Sequence, residues 1–519
     1  MIPAAPGSAA PARFRLSRNE ALALLAVLVL GLIHLPHPFE WDQSLFTLGG
    51  ERLASGSVLY RDFWDVKQPG IYWFYAVAGR LFGFSEPGIH LFELLWMMAF
   101  ALTLLVTLRR RWGPGPVATL APLLTVGAYY AAAGTQHLTQ VEGLVGFPLY
   151  LVLWFATDGR DEKPRAVRAF LSGLCGAVVL IFKLAFLPLV GIFWLLALRA
   201  AARRSGVRRA LGSLALPVSV GLALPLAVTL AYFARHALLG TLVWTYFAYP
   251  ASLLSQVRGL QANRLFTGLE WFLLRFAPLI GLATVGAGLA RPRRDPLGLG
   301  LQLWFLAGIL VILAQRWSWW SYHYLLLLPP LGVLGAAGAG ALWARVDRLG
   351  AEGPRARRWA AAGLCALFVG LIGLAAMKTA MLARYRFALT PADRVAYLES
   401  VSGAYLDFSQ DVARLAEPGR RPGSLFVIDN PMVYRLAGRP VSPAAFHGAF
   451  FVEEMREREW SELVTRLERD PPAYILVERH YLPLVTGGAP WMVRFAGFLA
   501  AGYRVAFTTR CGAWYERAR

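Results

Sequence analysis

The stretch AFLSGLCGAVVLIFKLAFLPLVGIFWLLAL, residues 169–198, carries a single charge, Lys183, near its centre. Wound as one helix it would run about 45 Å, against a bilayer core of about 30 Å. Basic residues bound it on both sides: Arg165 and Arg168 before it, Arg203, Arg204, Arg208 and Arg209 after it. Membrane proteins hold such clusters on the cytoplasmic side. One crossing would put one cluster outside. Two short crossings, turning near Lys183 to Pro188, keep both inside. The stretch reads as a membrane hairpin, and the chain as a polytopic membrane protein.

The remainder of the sequence extends that pattern. Of 519 residues, 57% are hydrophobic with glycine not counted, and the mean hydropathy is +0.48. Soluble chains are about 45–50% apolar even with glycine counted. The net charge of +21 invites a nucleic-acid partner, but the arginines sit in short clusters between apolar runs, where they set topology. Cys175 and Cys365 lie in apolar runs and Cys511 stands alone in the tail, so no disulfide framework can be drawn. Arg13, Arg15 and Arg18 before the run at 21–33 resemble a signal peptide, yet no small-residue cleavage site follows; an uncleaved first span is expected.

Apolar runs and basic clusters together predict about eleven spans, at 21–36, 88–108, 117–133, 141–157, the two arms of 169–198, 211–233, 271–290, 297–314, 324–343 and 359–378. The N-terminus falls inside and the tail outside. Three polar segments fall outside: 37–87, 235–270 and the tail. The expected fold is an all-α polytopic membrane domain, residues 1–380, with a small extracytoplasmic α/β domain, residues 381–519. In that tail, residues 424–428, 474–477 and 502–509 read as strands and 450–468 as a helix with a charged face. No internal repeat is visible.

Chemistry concentrates in the first outer segment. Glu40, Asp42, Asp62 and Asp65 lie among aromatics at the membrane surface, with Lys67 and Pro69 closing the run. An acid at the mouth of a membrane cavity can serve as general base toward a hydroxyl, and a lysine can hold phosphate as a point charge. The competing reading is a solvated loop with an interfacial aromatic belt. A second outer stretch supplies Gln136, His137, Gln140 and Glu142; an acid entering a span is costly unless it faces a cavity. His137 with Glu142 offers two ligands for a divalent metal, too few to define a site, and a hydrogen-bonding role fits them better. A third cluster carries Arg316, Tyr322 and His323 among tryptophans. Arg316 could neutralise a phosphate and the aromatics could stack on a sugar.

The order of these residues resembles the polyprenyl-phosphate-dependent glycosyltransferases of the GT-C fold, which include protein O-mannosyltransferases, lipid A aminoarabinose transferases and bacterial relatives of the core-oligosaccharide transferases. Asp42-Gln43 stands where that family places an acid pair after the first span. Gly56, Tyr60, Asp62, Lys67 and Pro69 follow its next motif, and Leu81-Phe82-Gly83-Phe84-Ser85 the one after. Glu142 and Lys183 resemble a further acid and lysine of the family. This chain departs at Gln43, where a second acid is usual, and at Gln68, where a proline is usual.

The resemblance implies an inverting single displacement in the bacterial inner membrane, moving a hexosyl or pentosyl group from a polyprenyl phosphate. Asp42 would be the base. Lys67, Asp62, Asp65, Gln140, Glu142, Lys183, Arg316, Tyr322 and His323 would contact substrate. The acceptor could be an envelope lipid, a glycan or a protein. The rival reading is a multi-pass transporter or lipid-linked sugar flippase; such folds often show repeated halves and broken helices near the bilayer midplane.

Overall fold

The computed structural model describes residues 15–157, 165–256, 262–289, 295–316, 319–355, 358–359, 361–363, 390–446, 457–488 and 490–518. The membrane part is helical: α1 (Arg18–His34), α2 (Trp41–Ala54), α3 (Pro69–Phe82), α4 (Glu86–Trp112), α5 (Pro116–Ala132), α6 (Val141–Thr157), α7 (Arg165–Phe182), α8 (Leu187–Ser205), α9 (Val207–Arg235), α10 (239–256), α11 (Ala262–Leu289), α12 (Pro296–Ala314) and α13 (Leu328–Glu352). A 3-10 turn, Ser321–Leu327, leads into α13. Among the described residues, six helices are long and apolar enough to cross a membrane. The span expected at 359–378 lies largely outside the described residues.

The hairpin forms at Lys183. Helices α7 and α8 are joined by the short turn Leu184–Phe186 and fold back on each other. Trp194 Nε1 donates to Ser172 Oγ at 3.1 Å, and Gly176 leaves room for Trp194 and Val190. The pairs 172 with 194 and 176 with 190 both centre on residue 183.

Ion pairs tie together the opposite end of the bundle. Arg109, at the end of α4, meets Glu20 at the start of α1 at 3.0 Å. Arg111 pairs with Asp295, the residue before α12, and Trp112 donates to the other oxygen of Asp295 at 2.9 Å. The starts of α1 and α12 and the end of α4 therefore share one face, as an alternating up-and-down path requires.

Elsewhere helices meet backbone to backbone at paired glycines. A side chain at Gly173 or Gly221 would strike the carbonyl of Val218 or Phe170 across the α7–α9 crossing. Gly286 and Gly338 face Leu334 and Leu282 in the same way across α11–α13. In lipid, where apolar surface is not driven from its solvent, such close approach is a main source of helix association.

Two segments expected as polar loops are helical. Within 37–87 the chain forms α2 and α3, and residues 43–50 are buried without a break. Pro69 opens α3 at a position where its missing N–H costs nothing, and Gly83 ends it at φ 87°. Within 235–270, α10 and the start of α11 replace the loop. Gly49 and Gly50 lie inside α2, where they let it pack against Tyr72 and Tyr75 of α3.

The C-terminal unit continues with α14 (Pro391–Val401), α15 (Gly403–Leu415), β1 (Leu425–Ile428), α16 (Met432–Ala437), α17 (Glu457–Arg469), β2 (Tyr474–Glu478), α18 (Leu482–Thr486), α19 (Val493–Gly502), β3 (Tyr503–Thr508) and β4 (Gly512–Arg517). The sheet order is β1-β2-β4-β3, with β1 and β2 parallel and β4 antiparallel to both its neighbours. Strands β1 and β2 are buried throughout, which is why they read as unbroken apolar runs. The three expected strands are present; β4 was not expected. Of the expected helix at 450–468, residues 450–456 lie outside the described residues.

This unit rests on the end of the bundle away from the Arg109–Glu20 pair. Tyr397 hydrogen-bonds His37 at 2.9 Å. Arg435 donates to the Phe84 carbonyl at 2.5 Å and lies over the Phe39 ring.

Candidate active site

Between the membrane helices and the C-terminal unit lies a cavity of about 940 Å³. Two lysine–carboxylate pairs face it. Lys67 Nζ lies 3.0 Å from Asp42 Oδ2, and Lys183 Nζ lies 2.6 Å from Glu142 Oε1. His323 Nε2 approaches the same Glu142 oxygen at 3.5 Å. Glu40, Gln136, Gln140, Tyr322 and His323 are further sequence candidates in the wall.

Local structure explains why residues so far apart in sequence converge. Asp42 occupies the first turn of α2, where the helix dipole favours a negative charge. Gln43, the departure from an acid pair, has a structural task. Its Oε1 accepts the Glu40 N–H at 3.0 Å, and its Nε2 donates to the Leu138 carbonyl at 2.8 Å. It thus fastens the Asp42 helix to the segment that carries Gln140 and Glu142.

Gln68, the other departure, accepts the Leu184 N–H at 2.6 Å. Beside it, Gly70 lies against the backbone of Ile181 and Phe182. These two contacts bring Lys67 to the hairpin crest that holds Lys183. Beneath the site Glu93, almost fully buried, bonds Tyr129 and accepts the Thr139 N–H at 2.9 Å. It pins the turn at Thr139, where φ is +51°.

Electrostatics are tuned in the 58–68 loop. Asp65 is buried and takes a hydrogen bond from Tyr72. Burial pushes its carboxyl up to about 6, against the pull of Lys67. Burial also works against the charged Lys67, yet Asp42 and Asp65 outweigh it and raise the ammonium above its ordinary value. Glu40, also in the cavity wall, is raised by burial, with Ser402 and Thr135 opposing.

Some expected residues fall elsewhere. Asp62 is partly exposed, pairs with Arg61 at 2.9 Å and accepts the Val58 N–H at 2.7 Å. Neither it, nor Asp65, nor Arg316 is in the cavity wall. His137 stacks on Trp271, accepts the Gly134 N–H at Nδ1 and meets Ser321 Oγ with Nε2 at 2.9 Å. Both of its ring nitrogens are engaged in these contacts.

The wall also contains residues that sequence reading did not select: Tyr246, Arg264 and Trp320 from the membrane part, and Asp429, His480 and Tyr481 from the C-terminal unit. Arg264 lies over the Trp320 ring, 4.5 Å from its centroid. The aromatic run around Trp320 was a visible signal; Asp429 and His480 lay hidden because only the folded sheet brings them here.

No protein-family model matches the sequence, and no curated protein matches it. The three-dimensional comparison is informative. ArnT from Cupriavidus metallidurans, in a crystal structure bound to undecaprenyl phosphate, superposes with a TM-score of 0.62. Sequence identity is 17%, over 95% of this chain and 97% of that one. The apo form of the same protein gives 0.61, with the same identity and coverage. The chain has the GT-C fold. In it, the start of α2, the segment 66–68 before α3, the start of α6, the hairpin crest at Lys183 and the C-terminal unit together line the cavity.

Proposed function

We propose that this GT-C chain is a glycosyltransferase that moves a sugar from a polyprenyl-phosphate carrier to an acceptor on the outer side of the bacterial inner membrane. The observation that carries the reading is the pairing of Asp42 with Lys67 in a cavity that also holds Glu142 and Lys183. A lone carboxylate would suit many functions. A carboxylate whose cation partner can be claimed by an incoming phosphate suits this one. The binding of undecaprenyl phosphate by ArnT, which shares the fold, supports the choice of carrier.

In this mechanism the carrier's phosphate is met by Lys67 and Lys183. Lys67 turns part of its hydrogen bonding from Asp42 to the phosphate, which leaves an Asp42 oxygen open to the acceptor. The acceptor hydroxyl gives its proton to Asp42 as its oxygen bonds to the anomeric carbon. The bond between that carbon and the phosphate oxygen breaks, and the electron pair leaves with polyprenyl phosphate. The anomeric centre inverts. No covalent enzyme intermediate is needed. Gln140, Tyr322 and His323 contact the sugar or phosphate from the wall. Residues 1–380 act as the membrane transferase and residues 381–519 as an extracytoplasmic domain that covers the cavity.

The test uses purified protein in lipid nanodiscs with undecaprenyl-phosphate hexoses and pentoses. Release of undecaprenyl phosphate above the level of Asp42→Asn is expected for at least one donor. Transfer of intact labelled carrier across a liposome bilayer, with no release by any donor, would instead make the protein a flippase.

A further inference from the structure

The cavity wall contributed by the C-terminal unit holds a group of metal-ligating side chains that the transferase mechanism leaves unused. Strands β1 and β2 are parallel and in register, Ile428 beside Val477. The next residues, Asp429 and Glu478, therefore emerge side by side at the strand ends. Both carboxylates are buried, their side chains 4% and 9% exposed. Two residues on, His480 folds back over them. Its Nε2 lies 3.0 Å from Asp429 Oδ2 and its Nδ1 3.9 Å from Glu478 Oε2. One ligand atom from each of the three lies within 4.8 Å of the others.

The carboxylates are oriented rather than loose. Glu478 Oε1 accepts the Asn430 N–H at 2.7 Å, which turns Oε2 toward His480. Asp429 has a φ of +99°, a conformation an L-residue adopts only when its surroundings hold it there. Both carboxylates are buried at adjacent strand ends. Two acids crowded in this way are eased by a cation. His480, half exposed and against the Tyr481 ring at 3.9 Å between centroids, can turn to present one nitrogen. Asp429 and His480 both face the cavity.

We infer that Asp429, Glu478 and His480 form a binding site for a divalent transition metal, in the cavity wall opposite the membrane. One imidazole and two carboxylates select zinc or manganese over magnesium and calcium, which favour all-oxygen shells. Three protein ligands leave at least one coordination position open. That position faces the cavity and would take an oxygen of a bound anion or hydroxyl. This inference does not depend on the transferase reading, since metal binding is measured without turnover.

The experiment uses the full chain, purified without a polyhistidine tag, stripped with EDTA and titrated separately with Zn²⁺, Mn²⁺ and Mg²⁺. Metal content and calorimetric affinity are read together. One equivalent of Zn²⁺ or Mn²⁺ is expected, with Mg²⁺ at least about tenfold weaker. Outer-shell partners of a metal ligand already cost about 10–100-fold in affinity when removed, so His480→Ala and Asp429→Asn should each lose at least about tenfold. Glu478→Gln, nearly isosteric, guards against misfolding and should lose affinity while keeping the wild-type melting temperature in EDTA. His137→Gln should retain the metal. No uptake by the wild type overturns the site. Uptake unchanged in all three ligand variants overturns it equally.

Discussion

Lys183 donates to Glu142 Oε1 at 2.6 Å across 41 residues of chain, from the crest of one hairpin to the first turn of the next helix inward. Glu142 is 2% exposed and Lys183 a quarter exposed, so the carboxylate depends on its partner far more than the reverse. Breaking a buried pair from one side costs about 3–5 kcal/mol, because a charge is left without compensation. Lys183→Met should therefore lower stability by an amount in that range, measured by thermal unfolding in detergent. The double variant Lys183→Met/Glu142→Gln should recover part of the loss. Additive losses would mean that the two side chains do not depend on each other.

Asp42→Asn keeps the size of the side chain and loses the capacity to accept a proton. A positioned base contributes about 100 to 10,000-fold in rate. Turnover should fall by that range, with donor binding near the wild-type level. Asp62→Asn is the control, since Asp62 pairs with Arg61 outside the cavity wall and its loss should leave turnover within about twofold. If Asp42→Asn retains full turnover, Glu40 and Glu142 in the same wall are the next bases to test.

Lys67→Ala should weaken donor binding more than Lys163→Ala. Lys67 lines the cavity, whereas Lys163 lies in the expected inner loop, outside the described residues. Lys67→Arg should rescue only in part, because a planar guanidinium does not replace a compact ammonium between Asp42 and the Phe46 and Tyr322 rings. Equilibrium binding of a fluorescent polyprenyl-phosphate sugar reads this directly. Equal affinity in wild type and Lys67→Ala removes the lysine from the site.

Asp65 supplies a pH signature. Its folded pKa of about 6 stands above the ordinary 3.8, so folding favours the neutral acid. That contribution is full below about pH 3.8 and is lost as the pH rises through about 6. Asp65→Asn cannot ionise. Relative to wild type, its melting temperature should rise between about pH 4 and pH 7, whatever constant offset the substitution adds. A difference that stays flat across this window would place the charge elsewhere.

The glycine crossings give a stability test that needs no substrate. Gly338→Val drives a side chain into the Leu282 carbonyl, whereas Gly191 and Gly281 face open space. Overpacking costs about 1–3 kcal/mol. Gly338→Val should lose at least that much, and Gly191→Ala and Gly281→Ala should melt like the wild type.

The membrane fold was legible because basic clusters and apolar runs are strong and local. The hairpin followed from one lysine between two arginine groups. Lys67, Asp42, Gln140, Glu142, Lys183, Tyr322 and His323 were legible as candidates, and one cavity holds them. The helices α2 and α3 were not, since their ends are rich in acids, glycine and proline and mask the buried run from Gln43 to Gly50. Glu93 escaped because a lone acid inside an apolar helix gives no hint that it holds a turn 46 residues away. Asp429 and His480 escaped because their neighbours are set by strand register and by the seating of one unit on another.

The hairpin centred on residue 183 has an evolutionary corollary. Each residue of a helix turns the chain by about 100°. Removing one residue between Ser172 and Lys183 would swing the ammonium away from Glu142 or slide Ser172 past Trp194, and could not satisfy both. The composition of the two arms can drift as long as it stays apolar, but their length cannot. Insertions and deletions among true relatives should therefore collect in the segments between helices and spare residues 172–194.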